Sequence, residues 1–162
     1  MTERKPGHRS TSVLDLNLNP DNPRQGDVGA IVESIEANGF VGSIVAQCST
    51  GNVLAGNHRL IAAKALGMTK VPVHWVDVDD ESARRIMLAD NRTSDLASYD
   101  EAALTAILAD MAQLDQLAGT GFDGDDVDLL IADIETPLAG SFGDPIGLLD
   151  TDHECPRCGY EF

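Results

Sequence analysis

The chain has 162 residues, 43% of them hydrophobic but only 4% aromatic, which is room for one globular domain with an aliphatic core plus a tail or a small second unit. No apolar run approaches the roughly 20 residues of a membrane helix, and the polar stretch Met1 to Ser12 is no secretory signal, so the cytoplasm is the expected compartment, with no membrane partner. A formal net charge of −16 argues against binding nucleic acid through bulk charge.

Residues 1–12 read as a disordered basic tail, with Arg4, Lys5 and Arg9 among turn formers. Val13 to Leu16 suits a short strand, and Asn19-Pro20-Asp21-Asn22-Pro23 is dense in turn residues. Asp27 is placed to cap a helix that shows Ile31 and Ile35 on one face and stops at Asn38-Gly39. Ile44 to Cys48 and Val53 to Ala55 read as strands joined by the turn Ser49 to Asn52. A helix then runs from about Asn57 to Leu66, with Gly67 as its stop. Val71 to Val78 alternates as a strand, and its early Pro72 predicts an edge or a strand start. Asp80 is expected to cap a helix from Glu81 to about Asn91, with the polar stretch Arg92 to Ser98 breaking the pattern.

From Asp100 a longer helix carries Leu104, Ile107, Leu108, Met111, Leu114 and Leu117 at helical spacing, closed by Gly119-Thr120-Gly121. Asp123 or Asp126 then caps a short helix with Val127, Leu130, Ile131 and Ile134 on one side. These helices are acidic: residues 95–162 hold 16 Asp or Glu against the single Arg157, whereas residues 1–94 hold 11 against 10 Lys or Arg. With apolar partners on the same helices, the acids read as solubilising faces rather than a nucleic-acid mimic. Residues 137–152 are rich in Gly and Pro and read as a linker. The chain ends in His153-Glu154-Cys155-Pro156-Arg157-Cys158-Gly159.

The strand-to-helix segment Val53-Leu54-Ala55-Gly56-Asn57-His58-Arg59 carries the chemistry. One glycine lets a ligand approach the backbone, and the open N–H groups of the first helical turn suit phosphate. Arg59 adds a bidentate fork for phosphate oxygens, and His58 a hydrogen bond or a proton shuttle. Taken by themselves, these residues fit a plain strand–helix turn with a surface His and Arg equally well.

Two further segments shift that balance. Leu18-Asn19-Pro20-Asp21-Asn22-Pro23-Arg24 resembles the Asn-Pro…Pro-Arg box that opens the ParB/sulfiredoxin superfamily. Ala55 to Gly67 resembles its Gly-Glu-Arg-Arg box and helix, and Leu88-Ala89-Asp90-Asn91-Arg92 its Glu-Asn-x-x-Arg box. The resemblance covers roughly Leu14 to Leu104 and is to the N-terminal domain of ParB-type partition proteins, above all to the single-domain ParB-like proteins of bacteriophages and mobile elements. It implies a site for a nucleoside triphosphate, CTP or ATP, with Mg²⁺. Carried over by position, Gly56, His58 and Arg59 face phosphates, Asp90 and Asn91 face Mg²⁺, Arg92 lies nearby, and Arg24 closes the site. Asn57 stands where the family has Glu, and His58 where it has the first Arg, which puts hydrolysis and tight binding in question. The spelling is similar to the Gly-Cys-His-Arg of sulfiredoxin, but Asn57 cannot supply that family's thiolate. After Leu104 the two acidic helices are too few and too negative for the DNA-binding helix-turn-helix of partition proteins. Nor is there a dense carboxylate cluster for a two-metal nuclease.

Cys155 and Cys158, with His153, form half of a zinc-ribbon site; Cys48, His8 or a second chain is a candidate for the fourth ligand, the last of these linking zinc to a homodimer. Cys48, on a predicted strand, otherwise reads as a buried small hydrophobe. The expected fold is α+β: a small mixed-sheet ParB/sulfiredoxin-like domain at 13–103, an acidic helical extension at 104–136, the linker, and a short CxxC tail at 153–162. The expected function is a nucleotide–Mg²⁺-binding module in phage or mobile-element DNA metabolism, meeting DNA indirectly or through a protein partner. The alternatives are a phosphotransferase or nuclease on the same scaffold, with His58 and Asp90 as catalytic groups, and a non-catalytic adaptor.

Overall fold

The computed structural model of the chain describes residues 4–135. Four strands, β1 (Gly7–Ser12), β2 (Ile44–Gln47), β3 (Val53–Ala55) and β4 (Lys70–Val76), form one mixed sheet in the order β1-β4-β2-β3. β2 and β3 make an antiparallel hairpin through the turn at Ser49 to Asn52, where Gly51 takes a φ of 75°. Because β2 and β4 are parallel, the chain must cross over between them, and the helix α2 (Asn57–Ala65) makes that crossing. The alternation in β4 turns Val71, Val73 and Trp75 inward. These join Ile44, Ala46, Val53, Leu60 and Ala63 in the core, with Phe40 and Met68 at its margin.

Several expectations are corrected here. Residues 7–12 are not a disordered tail but strand β1, paired with β4 along its whole length from Gly7↔Trp75 to Ser12↔Lys70. Its polar alternation hides the strand, because only Thr11 is buried, where its Oγ1 accepts a hydrogen bond from Trp75 Nε1 at 3.2 Å. Val13–Asp15 is a 3-10 turn rather than a strand, capped by Ser12, whose hydroxyl accepts from Leu14 N. β4 is a central strand despite Pro72. The proline's missing N–H is tolerated because pairing with β2 begins only at Val73.

Helix α1 (Val28–Asn38) is capped by Asp27, as expected, and ends at Gly39, with φ 76°. Helix α3 (Asp80–Asp95) is capped by Asp79 rather than Asp80, and it runs through the polar stretch expected to break it. Thr93 and Ser94 are accommodated because both hydroxyls donate back to carbonyls of the preceding turn. Asp80 instead accepts from the buried Gln47, whose amide is fully engaged by Val78 O, Asp80 and Thr50. Helices α4 (Glu101–Gln113) and α5 (Gly124–Glu135) pack on each other and bury Thr105, Leu108 and Val127. α4 ends at Gln113, before the glycines expected to stop it, and Ile107 and Leu114 of its predicted apolar face are exposed. No helix among the described residues is long and apolar enough to cross a membrane. The linker at 137–152 and the tail ligands His153, Cys155 and Cys158 lie outside the described residues.

Candidate functional site

The site begins at the junction of β3 and α2. Gly56 turns the chain at φ 93°, a left-handed conformation that glycine adopts without penalty. As N-cap it has no side chain, so nothing from the cap bonds to the first-turn N–H groups of α2. They face a cavity of about 160 Å³ whose polar walls come from three stretches of chain, with Ile31 of α1 and Leu54 of β3 completing the lining. Gly56 to Arg59 form its floor, Asn22 and Arg24 come from the loop before α1, and Asp90, Asn91 and Ser94 come from α3.

The loop is strapped across the site. Asn19 N donates to Asn57 Oδ1 at 2.9 Å, and Gly26 N donates to His58 Nε2 at 3.0 Å. Asn91 Nδ2 donates to Asn22 Oδ1 at 3.0 Å. Arg24 Nη1 bonds both Asn91 O at 2.8 Å and Asp95 Oδ1 at 2.7 Å, and Asp21 pairs with Arg84 at 3.3 Å. The loop thereby ties α2 to α3 and fixes the width of the cavity between them. Arg59 is left with no ion pair among the described residues, and Asp90 is the single carboxylate in the cavity lining.

Seven of the residues singled out in the sequence thus converge: Arg24, Gly56, Asn57, His58, Arg59, Asp90 and Asn91. Arg92 does not join them. Residues 90, 91 and 94 share one face of α3, and Arg92 falls on another, exposed to solvent. Asn57 borders the cavity but is only 7% exposed, and its carboxamide is occupied by Asn19 N and Val53 O. Its carboxamide holds the loop before α1. Ser94 and Asp95 were missed because α3 was expected to end at Asn91. The helical spacing of Asp90 to Ser94 and of Asn91 to Asp95 was the available signal.

The lining suits a polyphosphate: open helix-terminal amides, two guanidinium groups and an imidazole around one carboxylate. Among the described residues no three His, Cys, Asp or Glu side chains gather into a protein-only metal cage. A site of one carboxylate, one amide oxygen and phosphate oxygens is the kind Mg²⁺ accepts, and Asp90 and Asn91 fit that role. Cys48 lies in the core, where burial, aided by Asp77, pushes its thiol above the usual range. His8 stacks on His74 across β1 and β4, with ring centroids 4.2 Å apart.

A second, larger pocket of about 340 Å³ adjoins the cavity. Its walls are Ile31 and Ile35 of α1, Phe40 and Val41 after it, and Thr120 and Gly121 of the α4–α5 turn. Arg59 and Ile31 line both spaces.

No curated protein matches the chain. A C-terminally truncated chromosome-partitioning protein ParB from Caulobacter crescentus, complexed with CTP-gamma-S, is similar in structure with a TM-score of 0.64 and 24% identity, over 81% of this chain and 80% of that one. The sulfiredoxin of Arabidopsis thaliana is similar over 51% of this chain and 98% of that one, with 20% identity and a TM-score of 0.43. The likeness to the ParB is one of fold. The profile of the ParB N-terminal domain matches residues 9–92, a stretch that runs from β1 to the cavity-lining face of α3. The chain belongs to the ParB N-terminal domain family.

Proposed function

We propose that this chain binds a CTP-type nucleotide with Mg²⁺ in the cavity between α2 and α3, as a ParB-like module in the DNA metabolism of a phage or mobile element. The observation that carries this reading is the meeting of Arg24, His58, Arg59, Asp90 and Asn91 around the uncapped N-terminus of α2. Support comes also from the ParB of similar fold, which is complexed with CTP-gamma-S. In this reading the amides of α2 and the Arg59 guanidinium hold phosphate oxygens. Asp90 and Asn91 would hold Mg²⁺, whose charge offsets that of the phosphates. His58 gives up its bond from Gly26 N when it turns to donate to phosphate, and Arg24 guards the entrance from its bridge to Asp95. The module works in the cytoplasm and meets DNA through a protein partner, since the acidic helices repel the duplex.

Calorimetric titration of the purified chain with CTP, ATP and GTP, each with and without Mg²⁺, tests this directly. Metal-dependent binding of CTP, abolished by Arg59→Ala, is the expected result; no binding of any of the three overturns it. Zinc at His153, Cys155 and Cys158 is part of the same proposal. The purified chain should release zinc to a colorimetric chelator, and the Cys155→Ser/Cys158→Ser variant should release none.

A further inference from the structure

We propose that the turn joining α4 and α5 is a wall of the nucleotide site, so that the acidic helical pair closes over the nucleoside while the family domain holds the phosphates. The inference rests on the nucleotide reading above and adds to it a part of the chain beyond residues 9–92 that the family profile matches.

Three observations carry it. First, the polar cavity, at about 160 Å³, is smaller than the roughly 300–1,000 Å³ usual for ligand pockets. It has room for phosphates, and its lining is mostly polar, with Ile31 and Leu54 as its aliphatic members. The apolar pocket of about 340 Å³ next to it has the opposite character. Arg59 and Ile31 belong to both, so a molecule with an anionic end and a flat, less polar end fits across the two with Arg59 at the join.

Second, α1 packs on α2, but the domain leaves part of its apolar face uncovered. α1 contains no fully buried residue, and Ile31 and Ile35 are only half-buried, facing the pocket. The α4–α5 turn supplies the opposite side through Thr120 and Gly121.

Third, the turn is docked by specific contacts. Asn38 Nδ2 donates to Gly119 O at 3.1 Å, and Gly119 N donates to Glu33 Oε1 at 3.3 Å. Gly119 has a φ of 78°, and a Cβ placed there would lie 2.5 Å from Ala37 Cβ and 2.8 Å from Asn38 Nδ2. Only glycine lets the turn come this close to α1. Thr120 is held in turn, its hydroxyl donating to Leu117 O at 2.6 Å and accepting from Phe122 N at 3.2 Å. Phe122 packs edge-on against Tyr99 at the start of α4.

The test uses the full chain, with CTP–Mg²⁺ and inorganic tripolyphosphate–Mg²⁺ as paired probes. Gly119→Val lifts the turn from α1 without touching the sheet core; Ser34→Trp fills the apolar pocket from α1 and leaves the docking contacts in place. Each variant should lose CTP affinity by about tenfold or more while tripolyphosphate affinity stays within about twofold of the parent. In the parent chain CTP, but not tripolyphosphate, should slow hydrogen exchange at the amides of Thr120 to Phe122. Undiminished CTP affinity in either variant overturns the inference and leaves the nucleotide reading standing. Equal loss of both probes also overturns it, since the turn would then only support the fold. A parent chain that binds neither probe overturns the nucleotide reading itself, and this inference falls with it.

Discussion

Arg59 and Arg92 show how much a residue's worth depends on where it projects. Arg59 leaves the first turn of α2, lines the cavity and has no ion pair among the described residues, so its charge is available to a ligand. Arg92 lies off the cavity-facing side of α3. Arg59→Ala should weaken CTP binding by at least about tenfold and Arg92→Ala by less than about twofold, measured by calorimetry. Equal losses would refute this placement. Asn57 belongs to a different class, because its buried carboxamide is used to hold the loop before α1 against α2. Removing it strands Asn19 N and Val53 O. Asn57→Ala should therefore cost about 1–3 kcal/mol of stability. The check is urea unfolding followed by fluorescence of Trp75, the single tryptophan, which is buried and ideally placed to report the core.

At the scale of elements, α3 carries the acidic side of the site and depends on its cap. Asp79 accepts a 2.7 Å bond from Ser82 N, which holds its carboxyl below the ordinary carboxylate value. A lowered native value means that the ionised form is favoured by folding. The cap's contribution is therefore complete above the unfolded value of about 3.9 and is lost as pH falls through the lower native one. Over that acid window the parent chain should lose stability faster than Asp79→Asn, as followed by urea midpoints against pH. Parallel curves would show that the cap carries no pH-dependent stabilisation.

For the whole molecule, the sheet and α2 form the scaffold, the loop before α1 straps α2 to α3, and the α4–α5 pair leans on α1 through Gly119. The family profile ends at residue 92, and residues 137–152 read as a linker, so removal of residues 137–162 should leave CTP affinity within about twofold of the full chain. A larger loss in calorimetry would mean that the tail reaches the site.

The local sequence determined the parts of this protein whose signals are local. Asp27 and Gly39 bound α1, the turn before Val53 makes the hairpin, and Gly56 followed by His58 and Arg59 marks the start of α2. These depend on a cap, a backbone angle or a few adjacent residues, which read directly from the chain as structure; that the start of α2 faces an anion is part of the proposal and was not legible from those residues alone. The tertiary structure alone decided the rest. β1 is a strand because β4 pairs with it, although only one of its residues is buried. Pro72 sits in a central strand because its neighbour on one side starts a residue later. α3 continues past Asn91, its last turn held to the loop before α1 by Arg24 through Asn91 O and Asp95, and this brings Ser94 to the cavity. Arg24 and Arg59 lie far apart in sequence and share a cavity only after the strap closes, and the α4–α5 turn reaches α1 only because residue 119 lacks a side chain. Such features arise from contacts between distant segments, whose energy no local pattern encodes.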